Sequence, residues 1–175
     1  MRPLKEYMSK LHFRVARLSK NLKSILPDFA KLNLGQKFDL IWCGSLVTHL
    51  KAKDISDLLR FFERHLNDNG VVVFTAHGDY VADRAIAGDY RTIETRAVRR
   101  GAEMYRADGF AFIPYIGNSD QDQYGFSITS PTWIRSQCML VKNWREVVYQ
   151  PRGWDSHQDV YGYAKTENGI SKTTM

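Results

Sequence analysis

Two histidines follow closely after two apolar runs of the sequence, as groups of a reactive site often do. His49 comes after the run Phe38–Cys43, and His77 comes after the run 71–75. An imidazole titrates near pH 6.5, so either histidine can act as a general base on a hydroxyl or an amine. The structural alternative is a histidine that caps the next segment or hydrogen-bonds a loop carbonyl.

A third histidine lies in the loop G-W-D-S-H-Q-D near the C-terminus. An aspartate beside His157, either Asp155 or Asp159, can orient its ring, although such loops often only fix a turn. The histidines and Cys43 show no local spacing of metal ligands, so we expect no metal site, and no base is placed beside Cys43 to make it a nucleophile. Four aromatic residues can form an acceptor wall or can simply pack in a core or lid: Tyr115, Tyr124, Phe126 and Trp154.

The elements around the first two histidines form a strand, a helix and a strand. Phe38–Cys43 is apolar on both faces apart from Asp39, which suits a parallel strand covered by helices. A helix follows with Asp54 as its cap, a buried stripe from Ile55 to Leu66, and a stop at Asn67-Asp68-Asn69-Gly70. The run 71–75 is the second strand. The sequence therefore predicts a parallel, right-handed βαβ unit.

In open α/β sheets the ligand crevice lies beyond the carboxyl ends of the parallel strands. Cys43-Gly44-Ser45 follows one such end, and Ala76-His77-Gly78 follows the other. We therefore expect these two turns to lie side by side.

The rest of the chain predicts shorter elements. Residues 79–105 are expected to be helical with breaks at Gly88 and Gly101, and the runs 110–115 and 124–128 to form a hairpin or a lid. Ser130 and Pro131 begin a helix that runs to about residue 140. Residues 144–150 and 159–165 are predicted strands, and the polar tail 166–175 is expected to be disordered.

The N-terminal segment carries the positive charge of the chain. Residues 1–37 hold nine Lys/Arg and two acidic residues, a net charge of +7, whereas the other 138 residues have a net charge of −1. Apolar residues recur at helical spacing, which predicts a basic amphipathic helix over residues 1–27: Leu4, Met8, Leu11, Val15, Leu18, Leu22 and Ile25. Its stripe can pack on the domain, form a dimer or partner seam, or leave a surface for RNA or acidic membrane; an organelle transit peptide has the same character.

Length and composition bound the class of protein. The 175 residues are 43% hydrophobic, enough for one domain with a core. No apolar run reaches the roughly 18 residues of a membrane span, no signal-peptide core is visible, and two cysteines make no disulfide framework. We expect a cytoplasmic protein without a membrane span.

The segments FDLIWCGSLVTHL, ERHLNDNG and VVVFTAHG, with the later YGFSITSPTWI and NWREVVYQPRGWDSHQDVYGYAK, resemble the second half of a class I S-adenosylmethionine-dependent methyltransferase. The resemblance covers about residues 28–165 and implies an α/β fold with a partial Rossmann-like sheet, a parallel βαβ unit and a C-terminal antiparallel strand pair. It implies that Cys43, Gly44, Ser45 and Leu46 contact the cofactor S-adenosylmethionine. By their position and chemistry, His49, His77 and His157 are the candidates to act on the acceptor.

The chain departs from that family at the glycine-rich loop. The family holds the methionine end of its cofactor over G-x-G-x-G, and none of the twelve glycines here is spaced G-x-G. The segment before Phe38 has no room for the first two strands, which leaves Phe38–Cys43 as an apolar sheet edge. We expect the basic helix to cover this edge or the chain to dimerise there. A truncated frame, a degenerate homologue and half of a split protein all agree with this pattern.

Two functions from different classes follow. One is transfer of a methyl group to an unidentified small-molecule or glycan-like acceptor. The other is a non-catalytic, methyltransferase-like module that binds a protein partner through the sheet edge or the basic helix. Nucleic-acid binding is disfavoured because the basic helix lacks the interleaved aromatic residues of single-strand binders.

Overall fold

A computed structural model describes residues 15–18, 28–90, 95–115 and 124–166. Its elements in chain order are β1 (Val15–Leu18), β2 (Phe38–Cys43), a 3-10 turn (Val47–His49), α1 (Ala52–His65), β3 (Leu66–His77), α2 (Asp79–Ile86), α3 (Thr95–Asp108), β4 (Phe110–Pro114), β5 (Gly125–Thr129), α4 (Pro131–Met139), β6 (Trp144–Trp154) and β7 (Gln158–Lys165).

The main sheet has five strands in the order β1-β2-β3-β7-β6. The first three are parallel, with Ile41 beside Val72, and β7 runs antiparallel to both β3 and β6. The α/β class, the βαβ unit β2-α1-β3 and the C-terminal antiparallel pair are therefore confirmed. β3 begins earlier than predicted, at Leu66 and not after the turn signal Asn67-Asp68-Asn69-Gly70. These four residues are part of the strand, and the pairing register with β2 shifts opposite them, between Phe38 and Leu40.

One face of the sheet holds the core. The α1 residues Ile55, Leu58, Leu59 and Phe62 are fully buried against it. Phe62 stacks on Phe74 with ring centroids 6.5 Å apart, and Phe74 stacks on Tyr161 at 5.4 Å. Burial of each such side chain contributes about 1.5–3 kcal/mol. The predicted helical stripe is confirmed, but Lys51 occupies the N-cap and Asp54 lies in the first turn, where a carboxylate favours the helix dipole.

The opposite face of the sheet is only partly covered within the described residues. Alternate residues of the same strands point there and are half-buried, namely Leu40, Trp42, Val71, Val73, Val160 and Ala164. Val148 of β6 lies on this face beside Gly162 and is 46% exposed. We call this surface, defined by these seven residues, the open face.

The continuous N-terminal helix is wrong at residues 15–18, where the chain forms β1 and pairs in parallel with β2, Val15 beside Leu40 and Leu18 beside Cys43. The prediction that Phe38–Cys43 is a sheet edge, covered by a helix or by a second copy of the chain, is wrong for the same reason, because a strand from the N-terminal segment pairs with it. The unpaired N–H and C=O groups of a strand edge are satisfied by a further strand, and this tertiary pairing overrides a helical pattern. The rest of the predicted helix lies outside the described residues.

A smaller sheet packs beside the first. β4 and β5 form an antiparallel pair, Phe110 beside Thr129, which confirms the predicted hairpin. α2 and α3 flank it with Gly88 between them, but Gly101 does not interrupt α3. A Cβ at Gly101 would lie 2.7 Å from Ile113 Cδ1, so this glycine allows close packing of α3 on β4. Ser130 caps α4 as predicted and accepts a hydrogen bond from Trp133 N.

Candidate functional site

Three chain segments meet at one edge of the main sheet. β2 ends at Cys43 and β3 ends at His77, and because β7 is antiparallel, its first residue, Gln158, pairs with His77 at the same edge. The turns after β2 and β3 and the β6–β7 hairpin therefore come together, as the sequence predicted for the first two. We call these two turns, together with the tip of the β6–β7 hairpin, the strand-end site.

Ser45 lies at the centre of a partly buried hydrogen-bond network. Its N–H donates to Thr75 Oγ1 at 2.8 Å, Thr75 Oγ1 donates to Gln158 Oε1 at 2.6 Å, and Gln158 Nε2 donates to Ser45 Oγ at 3.0 Å. Ser45 holds a left-handed backbone with φ of 56°, uncommon for a residue other than glycine. The network fixes this conformation and orients the serine hydroxyl at the edge.

The other residues expected to contact a cofactor differ in access. Cys43 and Leu46 are fully buried, and desolvation raises the pKa of the Cys43 thiol to about 12. Gly44 is half-buried, and a Cβ there would lie 3.3 Å from the ring nitrogen of Trp42. Of these four residues, Gly44 and Ser45 are therefore the two that a ligand can reach, whereas Cys43 and Leu46 are part of the hydrophobic core.

His49 lies among aromatic residues of the second sheet. Its Nδ1 is 3.0 Å from Gly125 O and 2.7 Å from the Tyr115 hydroxyl, and its ring stacks on Tyr124 at 4.5 Å. A contact to a carbonyl oxygen requires a proton on Nδ1, which places the lone pair on Nε2 in the neutral ring. A residue held in this way can accept a proton through Nε2.

His77 is buried, with 6% of its surface exposed. Its Nδ1 donates to Ser127 O at 3.0 Å, and its ring packs on Phe126 at 4.7 Å. Burial, with smaller effects of His49 and His157, lowers the pKa of His77 to about 3. Such a weak base favours a structural role, joining the main sheet to β5.

His157 lies at the tip of the β6–β7 hairpin, its ring 6.0 Å from that of His77. Its Nδ1 contacts the backbone oxygen of Asp155 at 3.0 Å, not a carboxylate. The Asp159 carboxylate instead accepts from Arg152 N at 2.9 Å and Tyr149 Oη at 3.1 Å. Asp159 therefore fixes the hairpin and does not orient the histidine.

The four aromatic residues that were predicted to form a wall contact three different partners. Tyr115 and Tyr124 surround His49, Phe126 packs on His77, and Trp154 packs on Trp42 at 4.9 Å. Sequence reasoning missed Thr75 and Gln158. A polar residue at the end of the apolar run 71–75 was a usable signal for Thr75, whereas no local pattern marks Gln158.

Two further observations limit the site. Within the parts of the chain that the structure describes, no group of three or more His, Cys, Asp or Glu residues could hold a metal ion. A groove of about 850 Å³ lies at the other end of the sheet, lined by residues such as Leu32, Glu63 and Lys165. It is separate from the strand-end site.

Comparison with solved structures places this fold. The PH0226 protein from Pyrococcus horikoshii OT3 matches 80% of this chain and 57% of its own, with a TM-score of 0.52 and 12% identity. A 1,6-didemethyltoxoflavin-N1-methyltransferase from Burkholderia thailandensis, crystallised with 1,6-didemethyltoxoflavin and S-adenosylhomocysteine, matches 79% of this chain and 48% of its own, with a TM-score of 0.50 and 11% identity. This is a methyltransferase-like fold.

The match is one of fold and not of sequence. No protein-family model matches the chain, and no curated protein matches it significantly. The chain spans about half the length of the solved structures named above. Among the described residues, no helix has the length and apolar character needed to cross a membrane.

Proposed function

We propose that the chain binds S-adenosylmethionine at the strand-end site and is a homologue of the enzymes that transfer its methyl group to an acceptor. The observation that carries this proposal is the turn after β2, where the accessible Gly44 and Ser45 are fixed by a network that also includes Thr75 and Gln158. The methyltransferase-like fold supports it, because ligands of open α/β sheets bind beyond the carboxyl ends of the parallel strands.

The residues fit the adenosyl part of the cofactor. Ser45 Oγ can donate a hydrogen bond to a ribose or adenine acceptor, and Gly44 lets the ligand approach the backbone because it has no side chain. The exposed Trp154 edge beside Trp42 offers an apolar surface to an aromatic base. The bound cofactor supplies a methyl group on a sulfonium, which a nucleophilic oxygen, nitrogen or carbon can accept.

His49 is the residue that we propose to act on the acceptor. Its ring is oriented by Gly125 O, Tyr115 and Tyr124, so a proton-accepting Nε2 is held in one position. A positioned base of this type typically contributes 10²–10⁴-fold to a rate. His157 lies at the same edge and is the second candidate, whereas the buried His77 is proposed to support the site.

Calorimetric titration of the full chain with S-adenosylhomocysteine tests cofactor binding. We expect saturable binding, weakened about tenfold in Ser45→Gly, since one hydrogen bond contributes about 1–1.5 kcal/mol. Glycine is the suitable replacement because it tolerates the φ of 56°. Gln158→Ala should weaken binding similarly by releasing Ser45.

Asn67→Ala is the matched control, because Asn67 bonds Asp39 at the opposite end of the sheet. It should leave the affinity unchanged. Absence of binding at millimolar ligand, by a chain that melts cooperatively, would overturn cofactor binding. It would favour the second candidate function, a non-catalytic methyltransferase-like module, which the lack of any G-x-G spacing supports.

A further inference from the structure

The exposed side of α3 carries a concentration of arginine side chains. The other side of the helix is buried, where Val98 packs with residues of β4 and β5 and Ala102 is also covered. The charged residues recur at helical spacing on the side away from this core, and all are exposed: Arg96, Arg99, Arg100, Glu103 and Arg106. We call these five residues the arginine face. Its net charge is +3, whereas residues 38–175 together have a net charge of −1.

The first arginines of this face are unfavourable for the helix itself. Arg96 lies in the first turn, which holds no acidic residue and where the positive end of the helix dipole disfavours a cation. Arg99 and Arg100 follow Arg96 at intervals of three and four residues, at which like charges destabilise a helix.

The arginines also lack a structural partner that would explain them. Within the part of the chain that the structure describes, Arg96, Arg99 and Arg106 form no ion pair, either with Glu103 or with any other residue. Residues that break a local rule of stability without a compensating contact are characteristic of functional surfaces. The arginine face is therefore a candidate interaction surface for an anionic partner.

We propose that the arginine face binds the phosphate backbone of a single nucleic-acid strand. A guanidinium group donates two parallel hydrogen bonds to a phosphate and always keeps its charge, so arginine suits this partner better than lysine does. From Arg96 to Arg106 the helix rises about 15 Å, which is the axial length of about four phosphates of one strand. A row of arginines of this length fits a polymer of phosphates better than a single phosphorylated small molecule.

The arginine face belongs to a helix that is anchored beside the strand-end site. The hydroxyl of Tyr105 donates a hydrogen bond to the carboxylate of Asp79, the first residue of α2, which directly follows His77 and Gly78. This contact holds the C-terminal half of α3 next to the turn after β3. A strand bound along α3 would therefore lie near the strand-end site, but the proposal concerns binding alone and does not require methyl transfer.

Fluorescence anisotropy of a labelled uridine oligonucleotide, titrated with the full chain at several salt concentrations, tests the proposal. The N-terminal segment is also basic, so the comparison of variants decides the outcome. Arg96→Gln combined with Arg99→Gln should weaken binding about tenfold or more at about 50 mM salt. It should also reduce the slope of log K against log [salt] by about 1.4, since each phosphate neutralised on a single strand contributes about 0.7.

Lys142→Gln combined with Arg145→Gln is the matched control. It removes the same charge from two exposed residues outside α3, which likewise form no ion pair among the described residues. It should change the affinity and the slope much less. Arg96→Lys with Arg99→Lys should keep the slope but lower the affinity severalfold, because an ammonium group cannot donate the paired hydrogen bonds.

Circular dichroism melting checks that the variants fold. All of them replace exposed side chains, so we expect no loss of melting temperature. If the α3 double variant does not fold, Arg99→Gln alone replaces it, with an expected change in slope of about 0.7.

Three results would overturn the proposal. Absence of saturable binding at about 50 mM salt would exclude a nucleic-acid partner. Equal affinity and slope for wild type and the α3 variant, or an equal loss in the α3 variant and the control, would mean that binding depends on other surfaces or on total charge. Sedimentation with phosphatidylserine vesicles that is lost in the α3 variant, without oligonucleotide binding, would make an acidic membrane the partner instead.

Discussion

Ser45 and His77 show how single residues are adapted to the end of a strand. Ser45 accepts a left-handed backbone conformation because two hydrogen bonds, to Thr75 and from Gln158, hold it, and this directs its hydroxyl to the edge of the sheet. His77 occupies a buried position that favours the neutral ring, because desolvation lowers its pKa. One residue therefore presents a polar group at the edge of the sheet, and the other connects two sheets.

His77 makes the stability of the protein depend on pH. Its pKa falls from 6.5 to about 3 on folding, so the unfolded chain binds more protons between these values. Its contribution is fully present above pH 6.5 and is lost as the pH falls toward 3. We expect His77→Gln, which can still donate to Ser127 O, to flatten this part of the profile.

Urea unfolding at several pH values measures the effect. The informative quantity is the slope of the unfolding free energy against pH, because the substitution also changes the absolute stability. His157→Gln, at a half-buried position of the hairpin tip, is the comparison variant and should change the slope less than His77→Gln, because His157 has only a small effect on the pKa of His77. Equal slopes for wild type and His77→Gln would contradict the assignment.

The β6–β7 hairpin is the element that completes the strand-end site. Asp155 and Ser156 both have positive φ, 53° and 58°, and His157 N bonds Trp154 O at 3.1 Å. These are the features of a type I′ turn, which favours Asn-Gly. Arg152, with φ of 54°, adds a third left-handed residue and donates from Nε to Ser156 O.

Replacing Asp155-Ser156 by Asn-Gly should stabilise the protein by roughly 0.5–1.5 kcal/mol, because both residues then suit their backbone conformation. Chemical denaturation measures the gain. Asp155→Ala with Ser156→Ala removes the same side chains but keeps the strain, so it should not stabilise. A gain of equal size in both variants would exclude the turn as its cause.

The sequence predicted those elements whose pattern is set locally. β2, α1, α4 and the C-terminal strand pair follow from apolar periodicity and from the Ser130-Pro131 start signal. β1 was missed because its four residues continue a helical spacing, and only the edge of β2, distant in sequence, gives them a strand partner. At the strand-end site, the position of Ser45 after β2 could be predicted from the sequence, but Gln158 lies beside it only through the pairing of β7 with β3.

At the scale of the whole molecule, β1 closes one side of the main sheet. In a parallel strand, alternate residues direct both backbone groups to the same neighbour. Residues 15 and 17 of β1 therefore direct their backbone groups to one side, and residues 16 and 18 to the other, so only one of these two sets hydrogen-bonds β2. Proline at both positions of the bonding set should destabilise the protein more than proline at both positions of the other set.

We expect prolines at the two positions that hydrogen-bond β2 to lower the melting temperature and to cause self-association through the exposed edge of β2. The other pair serves as the control with equal proline content. Melting curves and light scattering of both variants measure the difference. Indistinguishable behaviour would contradict a stable β1–β2 pairing.

The strand order also has a consequence for biosynthesis. β7 is the last of the described strands to leave the ribosome, yet it lies between β3 and β6 in the finished sheet. About 90 residues separate the end of β3 from the end of β7. At 5–20 residues per second, β3 has no partner on that side for about 4 to 18 s. During this interval the nascent chain presents a long apolar strand that can pair with a neighbouring polypeptide on the same message.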